Sequence, residues 1–163
     1  MESFERVAGE LLVKIIGKEC CFQEVGEYRS LSLGFGLRVE TQGLRGKRLR
    51  NEWDIGTYNS AWRVVSHGEI LCGSLNPIDT NSELDGQLQS IQLGAFVSLE
   101  IFSPFDIRLK TSNGVDVEFM CASSDDDEYF HIIGVDHSML TCCSKTGWRL
   151  GNTLVPADGS SSN

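Results

Sequence analysis

The sequence predicts a mainly β fold: antiparallel, hairpin-built sheets in two pseudo-repeated halves, with a short N-terminal helix. Three observations point there. Glycine is abundant, at 17 residues, while proline numbers only three. Apolar residues alternate at period two in several segments, which places them on one face of a strand. Short Gly-containing clusters separate those segments, as hairpin loops do.

The helix comes first. Phe4, Val7, Leu11, Leu12, Ile15 and Ile16 recur at helical spacing and Gly17 can end the run, although Gly9 weakens it. Next, Leu31, Leu33, Leu37 and Val39 alternate around Gly34-Phe35-Gly36. Read as a three-residue loop, that tripeptide sets Leu33 opposite Leu37 and Leu31 opposite Val39. The loop Ser66-His67-Gly68 likewise sets Val64 opposite Ile70 and Trp62 opposite Cys72, and leaves His67 at an exposed tip as a turn residue. The third hairpin turns at Ser112-Asn113-Gly114. A three-residue loop there sets Leu109 opposite Val117 and Ile107 opposite Phe119. On the other face it sets Lys110 opposite Asp116 and Arg108 opposite Glu118, two ion pairs on the wet side. Gly114 takes the left-handed position that closes the loop.

Offsets of 76 to 78 residues relate Ile16-Gly17, Leu31–Leu33 and Leu37–Glu40 to Leu93-Gly94, Ile107–Leu109 and Val115–Glu118. Trp53–Gly56 matches Phe130–Ile133 at 77, and Trp62–Val64 matches Trp148–Leu150 at 86. These matches suggest a duplication within one domain, 1–163, with halves near 10–75 and 87–151. Residues 73–86 read as the connection between halves and 157–163 as a loose tail. Trp53, Trp62 and Trp148 alternate with strand neighbours and are expected in the core.

Composition narrows the function classes. Hydrophobic residues make up 40 % of the chain, too many for a disordered one. The longest early apolar stretch is broken by Lys14 and falls short of a membrane span, which needs about 20 residues. Glu2, Glu5 and Glu10 stand where an export signal carries basic residues, so a cytoplasmic location is expected. The six cysteines are then reduced thiols. None forms a C-x-x-C pair, and neither metal nor cofactor is expected. The net charge of −9 argues against a nucleic-acid-binding surface. The charge is uneven. Residues 1–75 hold ten basic and ten acidic groups, including the knot Arg45-Gly46-Lys47-Arg48-Leu49-Arg50. Residues 76–163 hold four and 13, including the run Asp125-Asp126-Asp127-Glu128.

Catalytic spacings are missing. The chain has no G-x-S-x-G, no H-E-x-x-H and no phosphate loop. The chain is therefore expected not to be an enzyme. An acidic loop on a rigid sheet suits a different task, occupying the basic cleft of a nucleic-acid-cleaving enzyme. The candidate partner-binding residues are Asp125, Asp126, Asp127 and Glu128, with Asp106 as a secondary candidate.

Two fragments carry a family resemblance. Leu11-Leu12-Val13-Lys14-Ile15-Ile16-Gly17-Lys18 followed by Glu27-Tyr28-Arg29-Ser30-Leu31-Ser32-Leu33 resembles the opening of small bacterial immunity proteins from contact-dependent growth inhibition and related polymorphic-toxin systems. Leu93–Ile101 with Phe105–Phe119, turning at Ser-Asn-Gly, extends the resemblance into the second half. The resemblance implies a cytoplasmic protein that binds and neutralises a cognate toxin domain, often a nuclease. It implies no catalytic residue and selects no contact position. A structural or regulatory binding module without a toxin partner is the alternative, and the oligomeric state is left open.

Overall fold

The computed structural model describes residues 3–154. Helix α1 (Phe4–Val13) leads into a meander of β1 (Cys20–Val25), β2 (Leu31–Gly43) and β3 (Gly46–Thr57), then a hairpin of β4 (Ala61–Ser66) and β5 (Glu69–Gly73). Helix α2 (Asn81–Gln89) leads into a second meander, β6 (Phe96–Ser103), β7 (Asp106–Thr111) and β8 (Val115–Met120). After it come β9 (Glu128–Gly134), β10 (Ser138–Cys143) and β11 (Gly147–Asn152). The fold is mainly β, with two antiparallel sheets of order β1-β2-β3-β9-β10-β11 and β5-β4-β8-β7-β6. Each meander is thus extended by the hairpin strands of the other half. The seams are Ile55 opposite Ile132 and Val64 opposite Val117.

Alternation explains the core. Leu31, Leu33, Phe35, Ile55, Phe130 and Ile132 from the six-stranded sheet are buried with Trp62, Val64, Ile107, Leu109, Val117 and Phe119 from the five-stranded one. Edge-to-face contacts join the layers, Phe35 to Phe96 at 5.8 Å and Phe119 to Phe130 at 5.0 Å. A bridge between Glu19 and Ala95 ties the two layers beside β1 and β6. Helix α1 packs Phe4 on Trp148 at 4.7 Å. Helix α2 buries Leu84 and Leu88, and its Asp85 accepts the Val25 amide at 2.8 Å. Trp53 and Trp62 are buried, and Trp148 packs against the core.

The 112–114 hairpin has the expected register throughout, with Gly114 at φ +72°. Its wet face differs in two respects: Glu118 is buried, and the expected Lys110–Asp116 ion pair is replaced. Lys110 and Asp116 are register partners, but the Lys110 ammonium pairs with Glu100 at 3.4 Å and Asp116 lies 3.8 Å from Arg108.

Two expected pairings are corrected. Gly34-Phe35-Gly36 is not a loop, because β2 runs through it: Leu33 faces Ile55, and Val39 faces Arg50. The register shifts between Phe35 and Arg38, with Gly36 at φ +90°, so the glycine serves a bulge and not a turn. A Cβ there would stand 2.5 Å from a Glu52 carboxylate oxygen, and that same oxygen accepts the Leu37 amide. The chain reverses at Leu44-Arg45, between Gly43 and Gly46. The second correction concerns β4 and β5, which turn on two residues. His67 and Gly68 are both at positive φ, as a tight hairpin requires. Val65 then faces Ile70 and, after a register shift, Val64 faces Cys72 and Arg63 faces Gly73. His67 is exposed, as expected.

The 73–86 connection contains the start of α2. Thr80 caps the helix by accepting the Glu83 amide at 3.2 Å. In chain order a helix and a three-stranded meander occur twice, followed by two strands in the first half and three in the second, and the offset of 76 pairs β2 with β7. The offset of 77 instead matches β3 to β9, which are paired neighbours in one sheet. Residues 157–163, the expected tail, lie outside the described residues.

Candidate binding faces

Three surfaces concentrate charge. The first is the loop between β8 and β9. Asp125, Asp126 and Asp127 are exposed there, and Glu128 is half-buried. Their roles differ. Asp126 accepts the Lys145 amide at 2.7 Å and the Thr146 amide at 3.0 Å, bonds that hold its carboxyl below the usual range. The Ser144 hydroxyl donates to the Asp125 carbonyl at 2.7 Å. The loop is therefore pinned to the β10–β11 turn. Glu128 contacts His131 Nδ1 at 2.9 Å. Asp125 and Asp127 have no ion-pair partner among the described residues, and they line a recess of about 250 Å³ with Ser60, Glu128 and Tyr129. Asp106 is opposite Met120 at the same end of the five-stranded sheet but does not line that recess. Its carboxylate accepts the Ser103 hydroxyl at 2.6 Å and braces the β6–β7 turn.

The second surface is the outer face of the six-stranded sheet. Ser32, Gly34 and Gly56 keep its floor low, and a groove of about 420 Å³ runs over it. Asn51 lies across Gly34, where a Cβ would come 2.4 Å from its side chain, and donates to Asp54 at 2.6 Å. Tyr58 covers His131 at 4.6 Å between ring centroids. Arg38, Arg48 and Arg50 line the groove from the β2–β3 hairpin.

That hairpin outgrows its sheet. β1 covers β2 only as far as Phe35, and β9 covers β3 only from Trp53 to Gly56. From Arg38 opposite Asn51 to Gly43 opposite Gly46 it is a two-stranded arm with both edges open. Lys47 pairs with Glu40 at 3.0 Å, and the Arg38 guanidinium stacks 4.9 Å from the Phe22 ring centre. Among the described residues, Arg45, Arg48 and Arg50 have no carboxylate partner. Sequence reading singled out the Arg45–Arg50 knot but not the groove. His131 alone carried a signal, since it faces away from its apolar neighbours Phe130 and Ile132.

The third surface is the outer face of the five-stranded sheet, where Arg63, Glu118, Arg108 and Glu100 stand side by side across four strands. Glu118 receives hydrogen bonds from Arg63 and, at 2.8 Å, from Arg108, which Phe102 covers at 4.4 Å. Burial raises the Glu118 pKa; the bonds from Arg63 and then Arg108 outweigh that and hold it below the usual range. This row satisfies itself.

The thiols are quiet. Burial pushes Cys20, Cys72 and Cys142 up to about 11, so they stay protonated near neutral pH. Among the described residues no group of three or more His, Cys, Asp or Glu side chains is placed to hold a metal ion, and no helix is long and apolar enough to cross a membrane.

No family model, curated protein or solved structure matches the chain significantly.

Proposed function

We propose that this chain is a stoichiometric immunity protein. It binds a cognate toxin domain in the cytoplasm and blocks it by laying the acidic 121–128 end into a basic, nuclease-type cleft. It acts by occlusion, without turnover of its own. The observation that supports this reading is the pinned loop: Asp126 and the Ser144 bond hold the backbone, so Asp125 and Asp127 project as fixed, unpaired charges. Fixed charges lose little freedom on docking, and an acidic patch speeds encounter with a basic cleft.

The sequence expectation treated the four loop acids alike and set Asp106 behind them. On this reading Asp125 and Asp127 make the contact, while Asp126 and Asp106 brace their turns and Glu128 links the loop to His131.

The test is co-expression and pull-down with the product of the adjacent upstream gene, followed by Asp125→Lys with Asp127→Lys. Association should slow on the order of tenfold at low salt and protection should fall. Intact protection would remove this loop as the contact. A neighbouring gene whose product neither binds nor poisons cells would favour the regulatory module instead.

A further inference from the structure

The toxin reading leaves the groove on the outer face of the six-stranded sheet unused. Its floor carries two cross-strand rows, Ser32-Gly56-His131 and Gly34-Asp54-Ile133. Small residues at Ser32 and Gly56 sink it between Phe22 and Glu24 on β1 and His131 and Ile133 on β9. At about 420 Å³ it falls within the span of small-ligand sites, roughly 300 to 1,000 Å³.

The two ends offer different chemistry. At the arm end, the Arg38 guanidinium is turned back over Phe22, and Arg48 and Arg50 reach in from β3. None of the three has a carboxylate partner among the described residues. Surface cations elsewhere in this acidic chain do find one, as Lys18 does with Glu52 at 3.0 Å and Lys110 with Glu100 at 3.4 Å. Guanidinium forks left free in a cleft suit a phosphate. At the far end, Tyr58 has one ring face on His131 and is 61 % exposed, which leaves its other face open to a flat ring. The buried His131 has its Nδ1 on Glu128 and no partner at Nε2 among the described residues. Between the ends stand two acceptors. Asp54 takes the Asn51 amide on one oxygen and keeps the other, and Glu24 has no ion pair among the described residues.

We propose that this groove binds a free nucleoside monophosphate, with the phosphate on Arg38, Arg48 and Arg50 and the base stacked on Tyr58. Ribose hydroxyls or a base amino group then donate to Asp54 and Glu24. Those two carboxylates and the ring separate this ligand from simpler anions. A bare phosphate gains nothing from Tyr58 and brings negative charge towards both acids. A nucleic-acid strand would carry further charge over a body that, outside residues 37–51, holds nine basic and 22 acidic groups. The inference goes beyond the toxin reading and does not rest on it. The groove does not include Asp125 or Asp127, and binding is measured with no toxin present.

Isothermal titration calorimetry on the full chain at about 50 mM NaCl tests this, with AMP, inorganic phosphate and adenosine as probes. AMP should bind one site with a Kd below about 0.1 mM. Phosphate and adenosine each keep one half of the contact and should bind at least about tenfold more weakly. Arg48→Glu with Arg50→Glu should weaken AMP by at least about tenfold. Tyr58→Leu should weaken it about tenfold, whereas Tyr58→Phe should keep wild-type affinity, because the ring and not the hydroxyl makes the contact. Circular dichroism confirms that each variant is folded. A wild type with no saturable AMP binding, phosphate that binds as tightly as AMP (an adventitious ion only), or an arginine variant that holds AMP normally would each overturn the proposal. So would a 5′-phosphorylated single-stranded oligonucleotide that binds more than about tenfold tighter than AMP, which would give the groove to a nucleic-acid strand.

Discussion

The outer face of the five-stranded sheet and the β2–β3 arm carry similar residues in opposite circumstances. On the sheet face, Arg63 and Arg108 flank Glu118, Lys110 meets Glu100, and no cation lacks an acid. On the arm, Arg45, Arg48 and Arg50 stand without one. Neighbouring strands make the difference. Across four paired strands the register delivers a countercharge to each position, whereas the arm has no third strand to supply it. Paired charge of the first kind belongs to the fold. Charge of the second kind has no countercharge among the described residues and is open to a partner.

The contrast breaks most readily at Glu118. Glu118→Ala strips the shared acid from two arginines and should cost about 2–3 kcal/mol in urea unfolding, less than a fully buried pair because both guanidiniums reach solvent. A packing change on the other sheet should come close. A Cβ at Gly56 would stand 2.0 Å from the Leu31 carbonyl oxygen, so Gly56→Ala should force β2 and β3 apart and cost about 2 kcal/mol.

Acid sharpens the comparison. The Glu118 carboxyl is held below its ordinary range, so its contribution is present at neutral pH and is lost as pH falls through that lowered value. Stability measured from about pH 6 down to pH 3 should fall more steeply for wild type than for Glu118→Gln, while Glu52, Asp126 and Asp136 keep a residual slope in both. The smallest effect belongs to the arm. Arg48→Glu with Arg50→Glu should leave the free energy of urea unfolding within about 0.5 kcal/mol of wild type. A large loss there would mean that the arm is part of the fold after all.

The local part of this structure was legible in the sequence. The 107–119 hairpin could be read residue by residue because two independent patterns, apolar on one face and charged on the other, agree on one register. Gly34-Phe35-Gly36 misled because a bulge and a turn ask the same thing of a glycine: Gly36 at φ +90° is what either would need. Alternation cannot tell a strand that continues from one that reverses. Helix α2 was hidden by its polarity, since Leu84 and Leu88 are its only large apolar residues and Gly86 lies between them. The acidic run was visible as charge. The division of labour within it was not, because Asp126 finds its partners 19 and 20 residues away on a different hairpin. The pairing of β3 with β9, on which the groove depends, is likewise a matter of distant partners, as is that of β4 with β8.

The exchange of hairpins between sheets makes each half incomplete without the other. Severing the chain between Gly73 and Thr80 would leave two pieces clasped by eleven strands, each piece holding ribbons that complete the other's sheet. Expressed separately, each piece would present a bare seam and aggregate; co-expressed, the two would be recovered together. Melting should accordingly be a single cooperative event, with no stage at which one half stands while the other has come apart.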